Sequence, residues 1–197
     1  MKEFKLRASA SGSLWSASGK LIDGNKTFLQ EWIKEQIYGV RKQIKSKYLE
    51  KGTQMEAEAI DKAIEWMNLE FVLKNDKNFE DEFFTGTPDI IGDDFIIDTK
   101  CSWDCFSFPL FDTAIENKAY ELQLQIYMHL TGKKKAYLVY MLLNTPEFLT
   151  WEVPADYEGL DPKFRHKAFE ITYNPEIISD LQKKVIAARE YINTLIK

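Results

Sequence analysis

The order of helix-like and strand-like segments predicts an α/β fold, in which a central mixed β-sheet is flanked by α-helices. Two amphipathic segments come first, several short apolar segments follow, and the chain then alternates helix, strand and helix. The chain has 197 residues, of which 45% are hydrophobic, so it can bury a sizeable core. We see no linker and no internal repeat, and we expect one domain over residues 1–197.

Apolar residues at helical spacing predict a long first helix over 27–49, in spite of Gly39. We expect Gly52 and Thr53 to break the chain and to begin a second helix. The segment from Thr53 to Glu56 matches a capping box, in which Glu56 reaches back to the helix start. Glu56 also falls on the apolar stripe of this helix, where a carboxylate needs a positive charge or a metal ion as its partner. Glu56 is therefore a candidate metal ligand, with capping as the alternative.

The remaining elements follow from short apolar runs and one further amphipathic segment. Strands are predicted at 70–73, 79–84, 89–91 and 95–100, followed by an aromatic loop, a helix over 117–130, a strand over 135–143 and a closing helix over 175–196. The strands at 89–91 and 95–100 are rich in isoleucine on both faces, which is typical of strands that are covered on both sides.

Carboxylates and a lysine lie on these two isoleucine-rich strands. Because strand side chains alternate between faces, Asp98 and Lys100 share a face, whereas Thr99 turns away and leaves its backbone carbonyl near them. The alternative is an ordinary surface ion pair between Asp98 and Lys100. The apolar setting favours a buried charged site, because a charged group at the end of a covered strand needs a partner.

The length of the hairpin loop decides whether a second carboxylate joins this site. If residues 93–94 form a two-residue loop, Asp89 pairs with Asp98 on one face, whereas a three-residue loop would place them on opposite faces. Two clustered carboxylates repel each other unless a divalent cation or the Lys100 ammonium compensates them. Hard oxygen ligands of this kind suit Mg²⁺ or Mn²⁺.

Gln123 is the one polar residue on the buried stripe of the helix predicted over 117–130. A buried amide must form hydrogen bonds, so Gln123 either satisfies the core backbone or reaches into the acidic site.

The formal charge of −5 argues superficially against nucleic acid, but a site built of carboxylates makes net charge a poor guide. Positive charge is concentrated in the segments 34–51, 133–135 and 163–167, of which the last contains the candidate DNA contacts Arg165 and Lys167. Each cluster could also be an ordinary solvated surface.

Two further features bound the class of protein. Cys101 and Cys105 are too few for a disulfide framework or a four-cysteine metal site, and we expect free thiols. The sequence has no apolar run long enough to span a bilayer, and its first residues lack the apolar segment of a signal peptide, so we expect no membrane association and a cytoplasmic location.

Four motifs occur in an order that resembles the PD-(D/E)XK nuclease superfamily. They are Glu56 on a helix, Pro88-Asp89, Asp98-x-Lys100 and Gln123-x-x-x-Tyr127. More narrowly, the chain resembles the lambda exonuclease and YqaJ-type viral recombinase group. The resemblance covers residues 4–140, and it implies a restriction-endonuclease-like core.

The resemblance also implies a role for each residue. Glu56, Asp89, Asp98 and the Thr99 carbonyl would hold one or two Mg²⁺ ions, with Mn²⁺ able to substitute. Lys100 would position the attacking water and help to deprotonate it, Gln123 would orient Lys100 or the water, and Tyr127 would support that helix face. The opening segment 7–11 is similar to the one that meets the DNA 5′ phosphate in this group, which makes Arg7, Ser9 and Ser11 candidate DNA contacts.

For function, the resemblance implies 5′-to-3′ degradation of linear duplex DNA, which leaves 3′ single strands for a single-strand annealing protein. It implies a ring-shaped homotrimer that encloses DNA, encoded by a phage or prophage and acting in the cytoplasm of a bacterial host. The alternatives are a structure-specific or restriction-type endonuclease of the same superfamily and a non-catalytic DNA-binding protein on this fold. The paired carboxylates and Lys100 weigh against a binding protein, which has no need of them.

Overall fold

A computed structural model describes residues 2–70, 72–150 and 155–196. Its α-helices are α1 (Ser11–Leu14), α2 (Asp23–Tyr38), α3 (Lys47–Trp66), α4 (Lys118–Thr131) and α5 (Pro175–Leu195). Its strands are β1 (Leu6–Arg7), β2 (Phe79–Glu80), β3 (Phe84–Gly86), β4 (Ile90–Ile91), β5 (Phe95–Cys101), β6 (Lys135–Met141) and β7 (His166–Thr172). Among the described residues, no helix has the length and apolarity to cross a membrane.

A four-stranded mixed sheet forms the centre of the fold, with the strand order β4-β5-β6-β7. β5 and β6 are parallel and are connected through α4, whereas β4 and β7 pair antiparallel at the two edges. A smaller sheet has the order β1-β3-β2, with β1 and β3 parallel. The predicted α/β fold with a mixed sheet and flanking helices is confirmed.

Helices cover both faces of the four-stranded sheet. On one face, Ile96 belongs to an apolar cluster with residues of α2, α4 and α5. On the other face, Ile97 packs in a second cluster with Ile60 and Ala63 of α3. Burying an aliphatic side chain of this size contributes about 1.5–3 kcal/mol, so both helix layers hold β5 firmly. The prediction that this strand is covered on both sides is confirmed.

The long first helix predicted over 27–49 is wrong. α2 ends at Tyr38, because Gly39 adopts a left-handed conformation with φ of 66° and its N–H donates to the Glu35 carbonyl. Residues 39–46 are irregular, and α3 then begins at Lys47. The glycine that the sequence pattern tolerated inside the helix is the residue that ends it.

The predicted break at Gly52 and the capping box are wrong for the same reason. Since α3 begins at Lys47, Gly52 and Thr53 lie inside the helix, and the Thr53 hydroxyl donates to the Leu49 carbonyl at 3.0 Å. Glu56 is therefore two turns inside the helix and cannot cap its start.

Two smaller strand predictions also need correction. No strand forms at the described residues of 70–73, and Phe71 lies outside the described residues. The strand predicted over 79–84 is divided into β2 and β3, because the Asp81 carboxylate accepts the backbone N–H groups of Phe83 and Phe84 at 2.8 and 2.7 Å and forms a tight turn. β7 was not predicted, since its sequence was interpreted only as a basic cluster.

Candidate active site

The β4–β5 hairpin brings the two predicted carboxylates together. Ile90 pairs with Ile97 in antiparallel register, so residues 93–94 form a two-residue loop, which is the first of the two alternatives that the sequence left open. Continuing this register by one position carries Asp89 opposite Asp98. The backbone pairing of the hairpin therefore places both carboxylates side by side, independently of their side-chain contacts.

Asp98 lies at the centre of a small polar network. Its Oδ2 atom is 2.5 Å from the Lys100 Nζ, and its side chain is only 4% exposed. Its Oδ1 atom accepts a hydrogen bond from Gln123 Nε2 at 3.1 Å, and the same amide nitrogen donates to the Tyr127 hydroxyl at 2.9 Å. Of the two alternatives for Gln123, the structure shows the one that reaches into the acidic site. Asp98 and Lys100 share a face, as strand alternation predicts.

Asp89 is held by the strand that carries Asp98. Its Oδ2 atom accepts hydrogen bonds from the Thr99 N–H and the Thr99 hydroxyl, each at 2.7 Å. Burial, and after it the negative charge of Asp98, raise the pKa of Asp89 from 3.8 to about 7, although the Thr99 hydrogen bonds oppose this. The carboxylates thus repel each other across the hairpin, and a cation between them would relieve that repulsion.

Lys100 keeps its charge in this setting. Burial lowers the pKa of Lys100, but the charge and hydrogen bond of Asp98, with smaller contributions from Asp89 and Tyr120, together raise the pKa by more, so the net direction is upward. Its Nζ lies 3.4 Å from Gln123 Oε1 and 4.8 Å from the centre of the Tyr120 ring. A charged ammonium fixed by three partners can orient a ligand oxygen, but it is a poor acceptor for a proton.

Glu56 does not join this network directly. It lies one turn before Ile60 of α3, but its side chain is 48% exposed and pairs with Lys74 at 2.9 Å. The expected position on a buried stripe is therefore wrong, because this turn of α3 faces the exposed segment around Lys74. Among the described residues, no group of three or more His, Cys, Asp or Glu side chains is close enough to hold a metal ion.

The donor set nevertheless fits a hard divalent cation. Asp98 supplies a buried carboxylate and Asp89 a partly buried one, and Thr99 can add its carbonyl. Burial and the charge of Asp98 raise the pKa of Asp89, and a bound cation would oppose this rise. Glu56 is held by an exposed ion pair with Lys74, and such a pair contributes too little to prevent Glu56 from serving as a further ligand.

Comparison with solved structures identifies the family. The phage-related exonuclease from Haemophilus somnus is 31% identical to this chain, with a TM-score of 0.87, over 99% of this chain and 96% of that one. The chain belongs to the lambda exonuclease and YqaJ-type group of PD-(D/E)XK nucleases. The alkaline exonuclease from Laribacter hongkongensis shares the fold at 18% identity, with a TM-score of 0.75 over 98% of this chain and 89% of that one. Its complex with dAMP gives a TM-score of 0.76. No family model and no curated protein sequence matches the chain.

The N-terminal segment of this nuclease separates its three candidate DNA contacts. Arg7 and Ser9 are exposed, and they line an open cleft of about 1110 Å³ that α2 borders on its other side, together with Arg41 and Lys42. Ser11 is fully buried, and its hydroxyl donates to the Ala119 carbonyl at 3.2 Å. Only Arg7 and Ser9 are therefore placed to meet a ligand, and Ser11 fixes the segment to α4.

The two candidate DNA contacts near β7 lie in different places. Lys167 of β7 pairs with Tyr140 of β6, which pairs in turn with Lys100 of β5. The two lysines therefore lie in one row across the sheet, with their Cα atoms about 10 Å apart. Arg165 instead lines a separate cavity of about 200 Å³ with Glu58 and other residues. The structure brings Lys167 to the face of the polar network, but not Arg165.

Sequence reasoning missed two residues of this nuclease that the structure singles out. A Cβ atom at Gly86 would lie 2.5 Å from Tyr127 Cε1, so only glycine lets the Tyr127 ring approach β3. The nearby Pro88-Asp89 motif was a signal that could have drawn attention to Gly86. Lys51, which was counted in a basic surface cluster, is fully buried, and no feature of the sequence distinguishes it from its exposed neighbours.

Proposed function

We propose that this nuclease is a metal-dependent exonuclease that degrades linear double-stranded DNA in the 5′-to-3′ direction and leaves 3′ single-stranded tails for recombination. The observation that carries the proposal is the buried pair of Asp89 and Asp98 beside a charged Lys100. The relationship to the phage-related exonuclease from Haemophilus somnus supports the exonuclease assignment.

Asp89, Asp98 and the Thr99 carbonyl are proposed to hold Mg²⁺, with Glu56 as the further ligand once it leaves Lys74, and Mn²⁺ is expected to substitute. Such a cation polarises the scissile phosphate and stabilises the leaving oxygen when it is bound. Since the ligands come from both strands of one hairpin and from α3, the ion would also hold these elements together.

Lys100 is proposed to position the attacking water and a phosphate oxygen through its ammonium group. Its raised pKa favours this positioning role over that of a proton acceptor. Gln123 fixes Asp98 through one amide hydrogen and contacts Tyr127 with its Nε2 group, so the carboxylate keeps its second oxygen toward Lys100. Tyr127 therefore acts on the site through Gln123.

The selection of DNA ends is assigned to the N-terminal cleft. A guanidinium can bind a terminal phosphate with two hydrogen bonds, and Arg7 is exposed beside Ser9 in a cleft that also contains Arg41 and Lys42. Lys167 is proposed to contact the DNA backbone, because it shares a row with Lys100. We also propose a homotrimeric ring around DNA, a single-strand annealing protein as partner, and action in the cytoplasm of a bacterial host.

The test compares a 5′-labelled linear duplex with a closed circle, each with Mg²⁺ or with EDTA. We expect degradation of the linear duplex in Mg²⁺ only, with the circle intact. Asp98→Asn and Lys100→Met should lower the rate about 10²- to 10⁴-fold or more. Asp94→Asn is the matched control, because Asp94 is exposed in the loop of the same hairpin.

Each alternative gives a different result in this assay. Cleavage of the circle would support an endonuclease in place of an exonuclease. Binding of both DNAs without cleavage of either one in Mg²⁺ would contradict the enzymatic proposal.

A further inference from the structure

Lys51 is a fully buried lysine whose ammonium contacts four oxygen atoms. Its Nζ donates to the carbonyls of Ser102 and Trp103 at 2.8 Å each and to the Leu143 carbonyl at 2.7 Å. It also lies 2.9 Å from the Thr145 hydroxyl oxygen. Lysine is almost never fully buried without a paired acid, yet none of these four partners is a carboxylate.

These oxygen atoms belong to the ends of the two central strands. Ser102 and Trp103 directly follow β5, and Leu143 and Thr145 follow β6. Burial lowers the pKa of Lys51, while the charges of Cys101 and Asp104 oppose this. Burying an ammonium against backbone carbonyls costs more than burying an apolar side chain, so stability alone gives little reason for a lysine at this position.

Lys51 is also the only buried residue described in the first three turns of α3. The buried apolar residues of this helix begin at Ala59 and continue with Ile60 and Ala63. Apolar contacts are not directional, whereas hydrogen bonds of 2.7–2.9 Å fix both distance and angle. The Tyr48 ring also lies 5.1 Å from the Trp103 ring, and Met55 packs at the edge of the second cluster, but of these contacts only the Lys51 hydrogen bonds fix distance and angle between this end of α3 and the strand ends.

We propose that Lys51 is a positioning residue of the nuclease, which sets the distance between α3 with Glu56 and β5 with Asp98 and Lys100. The inference rests on the function proposed above. Glu56 lies five residues along α3 from Lys51, or about 7.5 Å, and Lys100 lies two residues along the strand from Ser102, or about 7 Å. Lys51 thus holds both elements close to the side chains that are proposed to act on DNA.

The same chain provides a matched control in Lys184 of α5. Lys184 is 3% exposed, and its Nζ donates to the carbonyl and the hydroxyl of Ser16 at 3.1 and 2.7 Å. Burial lowers its pKa as it does for Lys51. Among the described residues, Lys184 is hydrogen-bonded to neither α3 nor the strand ends, so its effect on kcat reports the loss of a buried lysine as such, whereas an effect through Ser16 on the N-terminal cleft would fall on KM.

The experiment measures melting temperature, kcat and KM for Lys51→Met and Lys184→Met in the full chain, on linear duplex DNA in saturating Mg²⁺ and below both melting temperatures. We expect both variants to melt earlier than wild type. Only Lys51→Met should lose kcat, by about 10- to 100-fold, because a displacement near 1 Å at a reacting centre has that effect. Lys184→Met should keep the wild-type kcat.

Chemical rescue decides the question if Lys51→Met does not fold. Propylammonium replaces the three methylenes and the ammonium that Lys51→Ala removes, and it should restore kcat in that variant. It should not change Lys184→Ala, and propanol should not restore either variant. Wild-type kcat in Lys51→Met, or no rescue of Lys51→Ala by propylammonium, would overturn the inference while wild type stays active. An inactive wild type would overturn the proposed function and this inference with it.

Discussion

Replacing Asp89 with asparagine shows how much the burial and charge of this carboxylate lower the free energy of unfolding, separately from its role in DNA cleavage. The amide oxygen of Asp89→Asn can accept the same two hydrogen bonds from Thr99, but it carries no charge toward Asp98. Burial and Asp98 raise the pKa of Asp89 from 3.8 to about 7, so the folded protein keeps a proton that the unfolded chain has already released. The contribution of Asp89 to the free energy of unfolding is therefore fully present below pH 3.8 and is lost as the pH rises from 3.8 to about 7.

The size of this loss follows from the shift. A change from 3.8 to about 7 corresponds to about 4 kcal/mol, of which about 3 kcal/mol falls between about pH 5 and about pH 8. We expect Asp89→Asn to lack this dependence. In EDTA, the free energy of unfolding of the variant should rise relative to wild type by about 3 kcal/mol between these two pH values, or roughly 6–12 °C in melting temperature.

Urea unfolding of both proteins at the two pH values measures this difference, since the other titrating groups are common to both. Adding Mg²⁺ at the higher pH should stabilise wild type and stabilise the variant less, because a ligand that binds only the folded state raises stability. The variant should also lose DNA cleavage. Parallel pH dependences for the two proteins would show that burial and Asp98 do not raise the pKa of Asp89 in the folded protein.

Three further substitutions test the surroundings of the site. Glu56→Gln should lower the cleavage rate strongly with little change in melting temperature, because the exposed ion pair of Glu56 with Lys74 contributes at most about 1 kcal/mol. As a control, Lys74→Met removes the same ion pair and should stay active. Arg7→Ala should erase a preference for 5′-phosphorylated over 5′-hydroxyl duplex in initial rates, and equal wild-type rates on the two ends would exclude a phosphate site in the cleft. Gly86→Ala should lower the free energy of unfolding by about 1–3 kcal/mol and slow cleavage, because its Cβ would displace Tyr127; wild-type melting and kcat would contradict this.

The centre of the site could be predicted because its information is local in the sequence. Strand alternation placed Asp98 and Lys100 on one face, whereas the pairing of Asp98 with Asp89 depended on a loop length that the sequence left open and that the structure shows to be two residues. The helical stripe then singled out Gln123, whose amide reaches Asp98 across 25 positions of sequence. Each of these steps needs only the period of one element and the length of one loop. The chemical roles of these residues stay predictions.

The wrong predictions concern features that depend on backbone conformation, backbone hydrogen bonds or solvent exposure. The left-handed conformation of Gly39 ends α2, and the apolar pattern continues past it without a change of period. Glu56 has the spacing of a buried residue, yet its side chain is exposed and pairs with Lys74. The partners of Lys51 are three backbone carbonyls and one hydroxyl from positions 102–145. Because every residue has a carbonyl, the pattern of side chains in the sequence cannot predict which carbonyls a lysine will bind.

The attachment of the N-terminal segment to α5 has a consequence for the order of folding during synthesis. Arg189 of α5 donates to the carbonyls of Phe4 and Glu82, and Lys184 donates to Ser16. The paired strands β4 to β6 and α4 are contiguous over 90–141, so they can assemble before α5 has left the ribosome. The segment with Arg7 can already pair with β3 and α4 at that stage, since Arg7 pairs with Thr85 and Ser11 donates to Ala119. We therefore expect a nascent chain to assemble its acidic hairpin and place Arg7 before α5 fixes the flanking residues Phe4 and Ser16.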